Sequence, residues 1–253
     1  MNELHARYSE LTKTTDRLRL DLIRAAGSAP ADAAVQINQG VSRRLLVLHD
    51  SITAVFQLVP PENTRSSRET IRKATINLHA FLINTVGIMD NMAWAYLHFH
   101  GIVKSVRMLD VDLFKAPMHK ILPRAWVDQL TSEQMAGWHK TYLKPYRDAL
   151  AHRIPPYIPE SFSPEETQAL QQVEEAINSL LASDWEEASR LQDVKDQMLG
   201  HAYSFVHSLD PPIQPLVLHP QLLADFATIG DVLRAFLQVL SIPPQSGATS
   251  ISS

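Results

Sequence analysis

The stretch ATINLHAFLINTVGIMDNMAWAYLHFHGIV, Ala74–Val103, is the most apolar run of this 253-residue chain and determines its fold class. A mostly apolar stripe recurs through it at spacings of three and four, the period of one helix face. The stripe consists of Ile71, Thr75, Leu78, Leu82, Val86, Met89, Ala93 and Leu97. Phe81, Ile83, Ile88 and Trp94 lie off it. A helix that is apolar on several sides packs against neighbours on more than one side. The pattern predicts a central helix over about 67–101 that ends at Gly101.

The same run is too polar for a membrane span. It carries Asn77, His79, Asn84, Asp90, Asn91, His98 and His100, and that many polar groups in hydrocarbon are costly. The N-terminus has acidic residues from Glu3 onward and no apolar signal segment. The sequence therefore predicts a cytoplasmic protein without membrane contact.

Helical periodicity recurs along the rest of the chain, and no strand-period pattern of useful length is present. Further helices are predicted over 2–26, 33–58, about 131–154, from 163, from about 184, and over about 220–241. Residues 102–122 and 210–220 are predicted to be irregular or extended. We expect one all-α domain over residues 1–242, an up-down bundle of six or seven helices with N- and C-terminal helical additions, and a disordered tail over 243–253.

Several local signals place the helix ends. Thr131 and Gln134 have the spacing of a capping box. Pro145 lies inside the helix that follows and predicts a kink or a fresh start. Ser163, followed by Pro164 and two glutamates, predicts another helix start. Trp94, Trp138 and Trp185 are predicted to pack in the core, and His79, His98 and His100 to be core or interface histidines with satisfied hydrogen bonds.

Composition excludes several kinds of chemistry. The chain has no cysteine, which excludes disulfides, thiolate metal sites and cysteine nucleophiles. It has no glycine-rich phosphate loop, no HExxH zinc helix and no repeated Glu-x-x-His pair of a di-iron bundle. We therefore expect no cofactor and no metal. The net charge is −4, so any contact with nucleic acid is expected to be local or transient.

One short stretch carries candidate chemistry, namely RDALAHRIPP, Arg147–Pro156. Asp148 and His152 are four residues apart and share a helix face, so the carboxylate can orient the imidazole or raise its pKa. Lys140, Lys144, Arg147 and Arg153 concentrate positive charge there. Arg147 and His152 are five residues apart, about 140° around a regular helix. They can flank a phosphate in a groove, or converge with their copies across a two-fold axis.

Two plainer interpretations stand beside this one. The spacing occurs a second time in Arg44–His49, where all the intervening residues are apolar, and this copy is interpreted as structural. Arg147 and Asp148 can also be ordinary solvated charges of an unrelated helical fold, with His152 and Arg153 interacting favourably with the helix dipole. The segment 155–160 is interpreted as a surface loop, with a lid or a dimer contact as the alternative.

The RDALAH motif resembles that of the HEPN superfamily, in which an arginine, a polar residue and a histidine share one helix of an all-α bundle. The resemblance implies a homodimer and a metal-independent endoribonuclease. Arg147 would hold phosphate, His152 would be the general acid or base, and Asp148 would orient one of them or bind sugar. Lys140, Lys144 and Arg153 would contact RNA.

The resemblance also covers non-catalytic members, which bind RNA or a protein partner such as an antitoxin or activator. One toxin branch of the superfamily has a tyrosine two residues after the histidine. This chain has Ile154 there, and its nearest tyrosine is Tyr157. That branch and its regulation are therefore not expected here.

Overall fold

The computed structural model describes residues 2–62, 66–159, 164–180, 184–197, 203–206 and 215–245. Its helices are α1 Asn2–Gly27, α2 Ala31–Val35, α3 Arg43–Leu58, α4 Arg68–Phe99, α5 Ala116–His119, α6 Arg124–Leu130, α7 Glu133–Gly137, α8 Lys144–His152, α9 Pro164–Leu180, α10 Trp185–Gln197 and α11 Leu218–Val239. A π-helical segment, Gln36–Ser42, joins α2 to α3, and a second, Trp138–Leu143, joins α7 to α8. Two 3₁₀ turns, Val103–Ser105 and Met108–Asp110, follow α4.

The predicted all-α class is confirmed, because the described chain is predominantly helical. When helices joined by a π segment are counted as one rod, seven long rods are present among the described residues. The described residues also form elements that were not predicted, namely the short helices α5 and α6, the two 3₁₀ turns, and a small antiparallel sheet of β1, Ser204–Phe205, and β2, Leu216–Val217. None of the described helices is both long and apolar enough to cross a membrane.

Helix α4 is the central element. It packs against α2, the first π segment, α3, α8 and α11, and its apolar residues are buried on several sides, among them Leu78, Phe81, Leu82, Ile88, Met89 and Tyr96. The Ser67 hydroxyl caps its start by accepting from the Thr70 N–H at 3.2 Å. Its last turn is followed by Gly101, whose φ of 66° suits glycine. The central position predicted from the apolar stripe is therefore confirmed.

The two π segments lie in different surroundings. Gly40, in the first segment, faces α4, and a Cβ atom at this position would lie 2.5 Å from the side chain of Asn91. The second segment comes directly before Pro145, which cannot donate to the carbonyl four residues earlier. Wide turns there take up the disturbance, so the break predicted at Pro145 is observed as a π segment followed by α8.

A buried carboxylate fastens α11 to the second π segment. Asp225 is 1% exposed. It accepts from Trp138 Nε1 at 2.8 Å, from the Tyr142 hydroxyl at 2.5 Å and from Gln221 Nε2 at 2.8 Å. Burial raises the pKa of Asp225 to about 6, against the opposite effect of these three donors. The second π segment is thereby held in place from the side of α11.

Several local predictions need correction. The cap before α7 is Ser132, which accepts from the Met135 N–H at 3.3 Å, and Thr131 instead ends α6. Trp185 is 70% exposed on the first turn of α10 and does not pack in the core. Gln245, in the tail predicted to be disordered, donates to the carbonyl of Ile121 at 3.1 Å.

Other predictions concern the ends of segments. Helix α9 begins at Pro164, as predicted, while its predicted cap Ser163 lies outside the described residues. So do most of the extended segment 210–220 and the tail from 246 onward. The first part of the segment 155–160 is packed and does not form a lid: Pro156 and Ile158 are buried, and Tyr157 exchanges two backbone hydrogen bonds with Val206.

Candidate functional site

Helix α8 carries the predicted motif and is anchored on one face. Tyr146 and Ala149 are buried, and Tyr146 meets Phe205 edge to face at 5.2 Å between ring centroids. The buried face packs against α4. Arg147 follows Tyr146 by about 100° around the helix, so it lies on the flank between core and solvent.

The end of α8 is anchored as well. His79 of α4 donates a hydrogen bond from Nε2 to the carbonyl of Pro156. The bridge between Tyr157 and Val206 ties the next residue down. His152, the last residue of α8, is exposed, and so is Arg153. A solvent-exposed imidazole is thus presented at the end of a helix that is fixed on both sides.

Arg147 is 36% exposed and forms an ion pair with its neighbour, at 3.2 Å from Nη1 to Asp148 Oδ1. An exposed ion pair of this kind contributes little to stability. It places the carboxylate of Asp148 beside the guanidinium of Arg147. The described contacts of Asp148 include this pair and none with His152, so the carboxylate orients the arginine and not the imidazole.

Arg147 and His152 do not converge within one chain. Five residues separate them, which is about 140° around the helix and about 7.5 Å along its axis. No hydrogen bond joins them among the described residues. The sequence left two arrangements open, a shared groove and convergence across a two-fold axis. Helix geometry alone does not bring the two side chains together within one chain.

Arg147 lines a cavity of about 120 Å³ between α4, α8 and the segment after the 3₁₀ turns. Its charged and titratable lining residues are Asp90, Asp112, Lys115, His139, Lys144 and Arg147. The volume equals that of about four water molecules. A cavity of this size is too small for a nucleotide and suits one small polar group at the edge of a larger ligand.

Asp90 is the acidic group of this cavity contributed by the central helix. Burial raises its pKa to about 6, the carboxylate of Asp112 adds to the rise, and the guanidinium of Arg147 opposes it. Asp112 accepts from the Phe114 N–H at 2.8 Å. The two carboxylates partly offset the three cations of the cavity, so its net charge depends on whether Asp90 is protonated.

His139 is the second histidine near Arg147. Its ring stacks on Phe114 at 3.7 Å between centroids, with 4° between the planes. Burial lowers the pKa of His139, and the charges of Lys144 and Arg147 lower it further, while Asp112 acts in the opposite direction. A neutral imidazole therefore faces the cavity near pH 7.

The predicted RNA-contacting residues are divided between two places. Lys144 is exposed and lines the cavity, and Lys140 is exposed on the second π segment. Arg153 lies beyond the end of α8 with His152. The positive charges therefore extend along α8 from its start to its end and do not form one compact patch.

Sequence reasoning missed Asp90, Asp112 and His139 as parts of this site. Asp90 carried a usable signal, since it is the one carboxylate in the central run Ala74–Val103 and a carboxylate is costly to bury without a purpose. His139 lies eight residues before Arg147, and only the wide turns of the π segment and the fold set its position. Asp112 lies in an irregular segment, where no helical or strand periodicity indicates the direction of a side chain.

The second copy of the arginine–histidine spacing, Arg44 and His49, contacts neighbouring helices. Arg44 Nε donates to Asn91 Oδ1 at 2.8 Å, and His49 contacts Thr12 and Asp50. Of the three histidines predicted to have satisfied hydrogen bonds, two have backbone partners: His79, described above, and His100, whose Nε2 donates to the Leu240 carbonyl at 2.9 Å. His98 Nδ1 lies 3.8 Å from Asp32 Oδ2.

Within the described part of the chain, no group of three or more histidine, aspartate or glutamate side chains is arranged to hold a metal ion. Comparisons with protein-family models, with curated proteins and with solved structures found no match. The site is therefore interpreted from its own geometry.

Proposed function

We propose that this chain is a HEPN-like protein that binds RNA along α8 and cleaves it without a metal, with Arg147 on the scissile phosphate and His152 as the proton carrier. The observation that carries the proposal is the placement of Arg147 and His152 on one rigidly anchored helix. Arg147 lies at the mouth of a polar cavity, and His152 is free to solvent at the helix end.

The catalytic unit is a two-fold dimer. Since the two side chains diverge by about 140° on one helix, one phosphodiester meets both types of group most directly between two copies of α8. Arg147 of one protomer then faces the partner subunit's His152, and the reverse holds at the other site. Isologous pairing of this kind needs no further element of the chain.

The chemistry is attack of the ribose 2′-hydroxyl on the adjacent phosphorus. The O2′–P bond forms, the P–O5′ bond breaks, and the products are a 2′,3′-cyclic phosphate and a 5′-hydroxyl. The imidazole of His152 accepts the proton of the 2′-hydroxyl, and the imidazolium so formed donates that proton to the leaving 5′-oxygen. Arg147 donates hydrogen bonds to the phosphoryl oxygens as their negative charge grows.

The distribution of charge is compatible with RNA binding in spite of the net charge of −4. Residues 164–197, a range that includes α9 and α10, contain nine acidic and two basic residues, so the rest of the chain carries a net charge of +3. The excess of acidic over basic residues therefore lies in the segment that follows the motif. The helix that carries the motif is basic.

The proposal is tested by incubating the purified protein with single-stranded and structured RNA in EDTA. We expect cleavage by the wild type, a loss of at least 100-fold in His152→Ala and in Arg147→Ala, and products that end in a cyclic phosphate. His49→Ala is the matched control, since it removes the histidine of the second copy of the spacing. Equal activity in wild type and His152→Ala, or none in the wild type, contradicts the proposal.

A second candidate function is RNA binding without turnover. Asp90 and Asp112 favour it, because carboxylates beside the arginine oppose the build-up of negative charge that cleavage requires. In that case the wild type binds RNA and leaves it intact, and Arg147→Ala weakens binding. Cleavage by the wild type but not by His152→Ala excludes this candidate.

A further inference from the structure

A second polar cavity, of about 330 Å³, lies where the first π segment and the start of α3 meet α4. Its polar lining residues are Gln36, Gln39, Arg43, Arg44, Asn84 and Asn91. The volume lies within the range of small-molecule sites in proteins. No role was predicted for this cavity from the sequence, which identified Arg44 only as structural.

The lining of this cavity is cationic. It holds two guanidinium groups and four amides, and no carboxylate is among its lining residues. Arg44 Nε donates to Asn91 Oδ1 at 2.8 Å and Arg44 Nη1 to Asn84 Oδ1 at 2.7 Å. Both acceptors are neutral, so they orient the guanidinium without cancelling its charge. A guanidinium has five N–H donors, and these bonds leave three of them for a ligand.

The guanidinium of Arg44 is fixed in place before any ligand arrives. Asn91 is itself held, because its Nδ2 donates to Gln36 Oε1 at 2.9 Å, and Asn84 Nδ2 donates to the Ala80 carbonyl at 2.7 Å. A Cβ atom at Gly87 would lie 2.5 Å from Arg44 Cζ. The arginine therefore lies directly on the backbone of α4. Because Arg44 is already held in place, less conformational entropy is lost when a ligand binds.

We propose that this cavity binds a phosphate group, with Arg44 as the oriented donor and the exposed Arg43 as the second cation. Arginine is suited to this role because its planar fork matches the oxygens of a phosphate. The amides of Gln36 and Gln39 can donate to the remaining oxygens. The site does not require the activity proposed for α8 and can be tested without RNA.

This cavity and the cavity beside α8 lie on different sides of α4. Asp90 lines the first, and its neighbour Asn91, about 100° further around the helix, lines the second. Arg44 and Arg147 both lower the pKa of Asp90, so both guanidinium groups lie within electrostatic reach of the same carboxylate.

The experiment is a titration of the full chain with inorganic phosphate, followed through the Nε–Hε resonance of Arg44 in ¹⁵N-labelled protein. The informative variant is Val47→Glu. Val47 lines the cavity and is 37% exposed, so the new carboxylate enters the site and leaves the bonds of Arg44 intact. Ile76→Glu is the matched control, because it adds the same charge at a position of α4 that is 61% exposed and does not line the cavity.

We expect a saturable shift of the Arg44 resonance, with an affinity that falls about tenfold in Val47→Glu and less than twofold in Ile76→Glu. Arg43→Gln, which alters no described contact of Arg44, weakens binding about threefold. Parallel titrations with a 5′-mononucleotide and a short single-stranded RNA identify the natural source of the phosphate by the tightest binding. The absence of a saturable shift, or equal losses in Val47→Glu and Ile76→Glu, overturns the proposal.

Discussion

Asp90 on α4 and Arg147 on α8 line one cavity, and their charges act on each other across the helix contact. Burial raises the pKa of Asp90 to about 6, and the guanidinium limits that rise. The protonation state of Asp90 on the central helix is therefore coupled to the charge of Arg147 in the motif, and this coupling requires both residues.

Replacing Asp90 by asparagine is expected to stabilise the protein at neutral pH. A carboxyl group whose pKa is raised on folding favours the folded state below its unfolded value of 3.8, and this contribution is lost as the pH rises to about 6. Asp90→Asn removes the cost of burying this charge. We expect it to raise the free energy of unfolding by about 1–2 kcal/mol at pH 7.5 and by little at pH 4.5. Urea unfolding at the two pH values measures the difference. Asp50→Asn, at an exposed position, serves as the control, and an equal change at both pH values contradicts the assignment.

Removal of the Tyr142 hydroxyl is expected to destabilise the protein in a pH-dependent manner. Tyr142→Phe takes one of three donors from the buried carboxylate of Asp225 and costs about 1–3 kcal/mol. The loss is larger at pH 7.5 than at pH 5, because without this donor the pKa of Asp225 rises further and its charged form is less stable. Thermal unfolding at both pH values provides the measurement. Tyr8→Phe is the control, and a loss that does not depend on pH argues against Asp225 as the cause.

Two glycine substitutions in helices are expected to have opposite effects. In Gly87→Ala the new methyl group meets the guanidinium of Arg44 and displaces it from Asn84 and Asn91, which outweighs the gain in helix propensity and costs about 1–2 kcal/mol. In Gly137→Ala nothing lies within 4 Å of the new Cβ, so we expect a gain of about 0.5–1 kcal/mol. Chemical denaturation of the two variants tests the pair. Stabilisation by both would mean that Arg44 moves without loss.

If the site on α8 is shared between two subunits, two inactive variants are expected to complement each other. A mixed dimer of Arg147→Ala and His152→Ala contains one intact pair and one doubly altered pair. Half of the dimers in an equal mixture are mixed, so activity recovers to about a quarter of the wild-type value. Each variant alone and a mixture at a concentration below dimer formation serve as controls. A mixture no more active than its components places both groups in one chain.

The helical rods of this fold could be predicted from the sequence because each has its own period and its own end signals. Leu78, Leu82 and Met89 identified the central helix, and Pro145 located the break before α8. Trp185 was placed wrongly because the period of α10 shows which residues share a face and not whether that face is covered.

The candidate site was predictable only in part, for a related reason. Arg147, Asp148 and His152 are close in sequence, so their motif could be recognised. Asp90, Asp112 and His139 come from a central helix, an irregular segment and a π turn, and only tertiary packing brings them to Arg147. The sequence could not identify the partner of Asp148 either, because both Arg147 and His152 are close enough along the helix to contact its carboxylate.

The two π segments fix the angular phase of the helices that continue from them, α3 and α8. Each accommodates its residues in wider turns than an α-helix of the same length, so Gln36–Ser42 determines the bearing of Arg44, and Trp138–Leu143 that of Arg147. Deleting one residue from either segment would let regular α-helical winding replace the wide turns, and the larger rotation per residue would offset the lost residue. A homologue one residue shorter at either place could therefore lack the π segment and still present its guanidinium in the same direction.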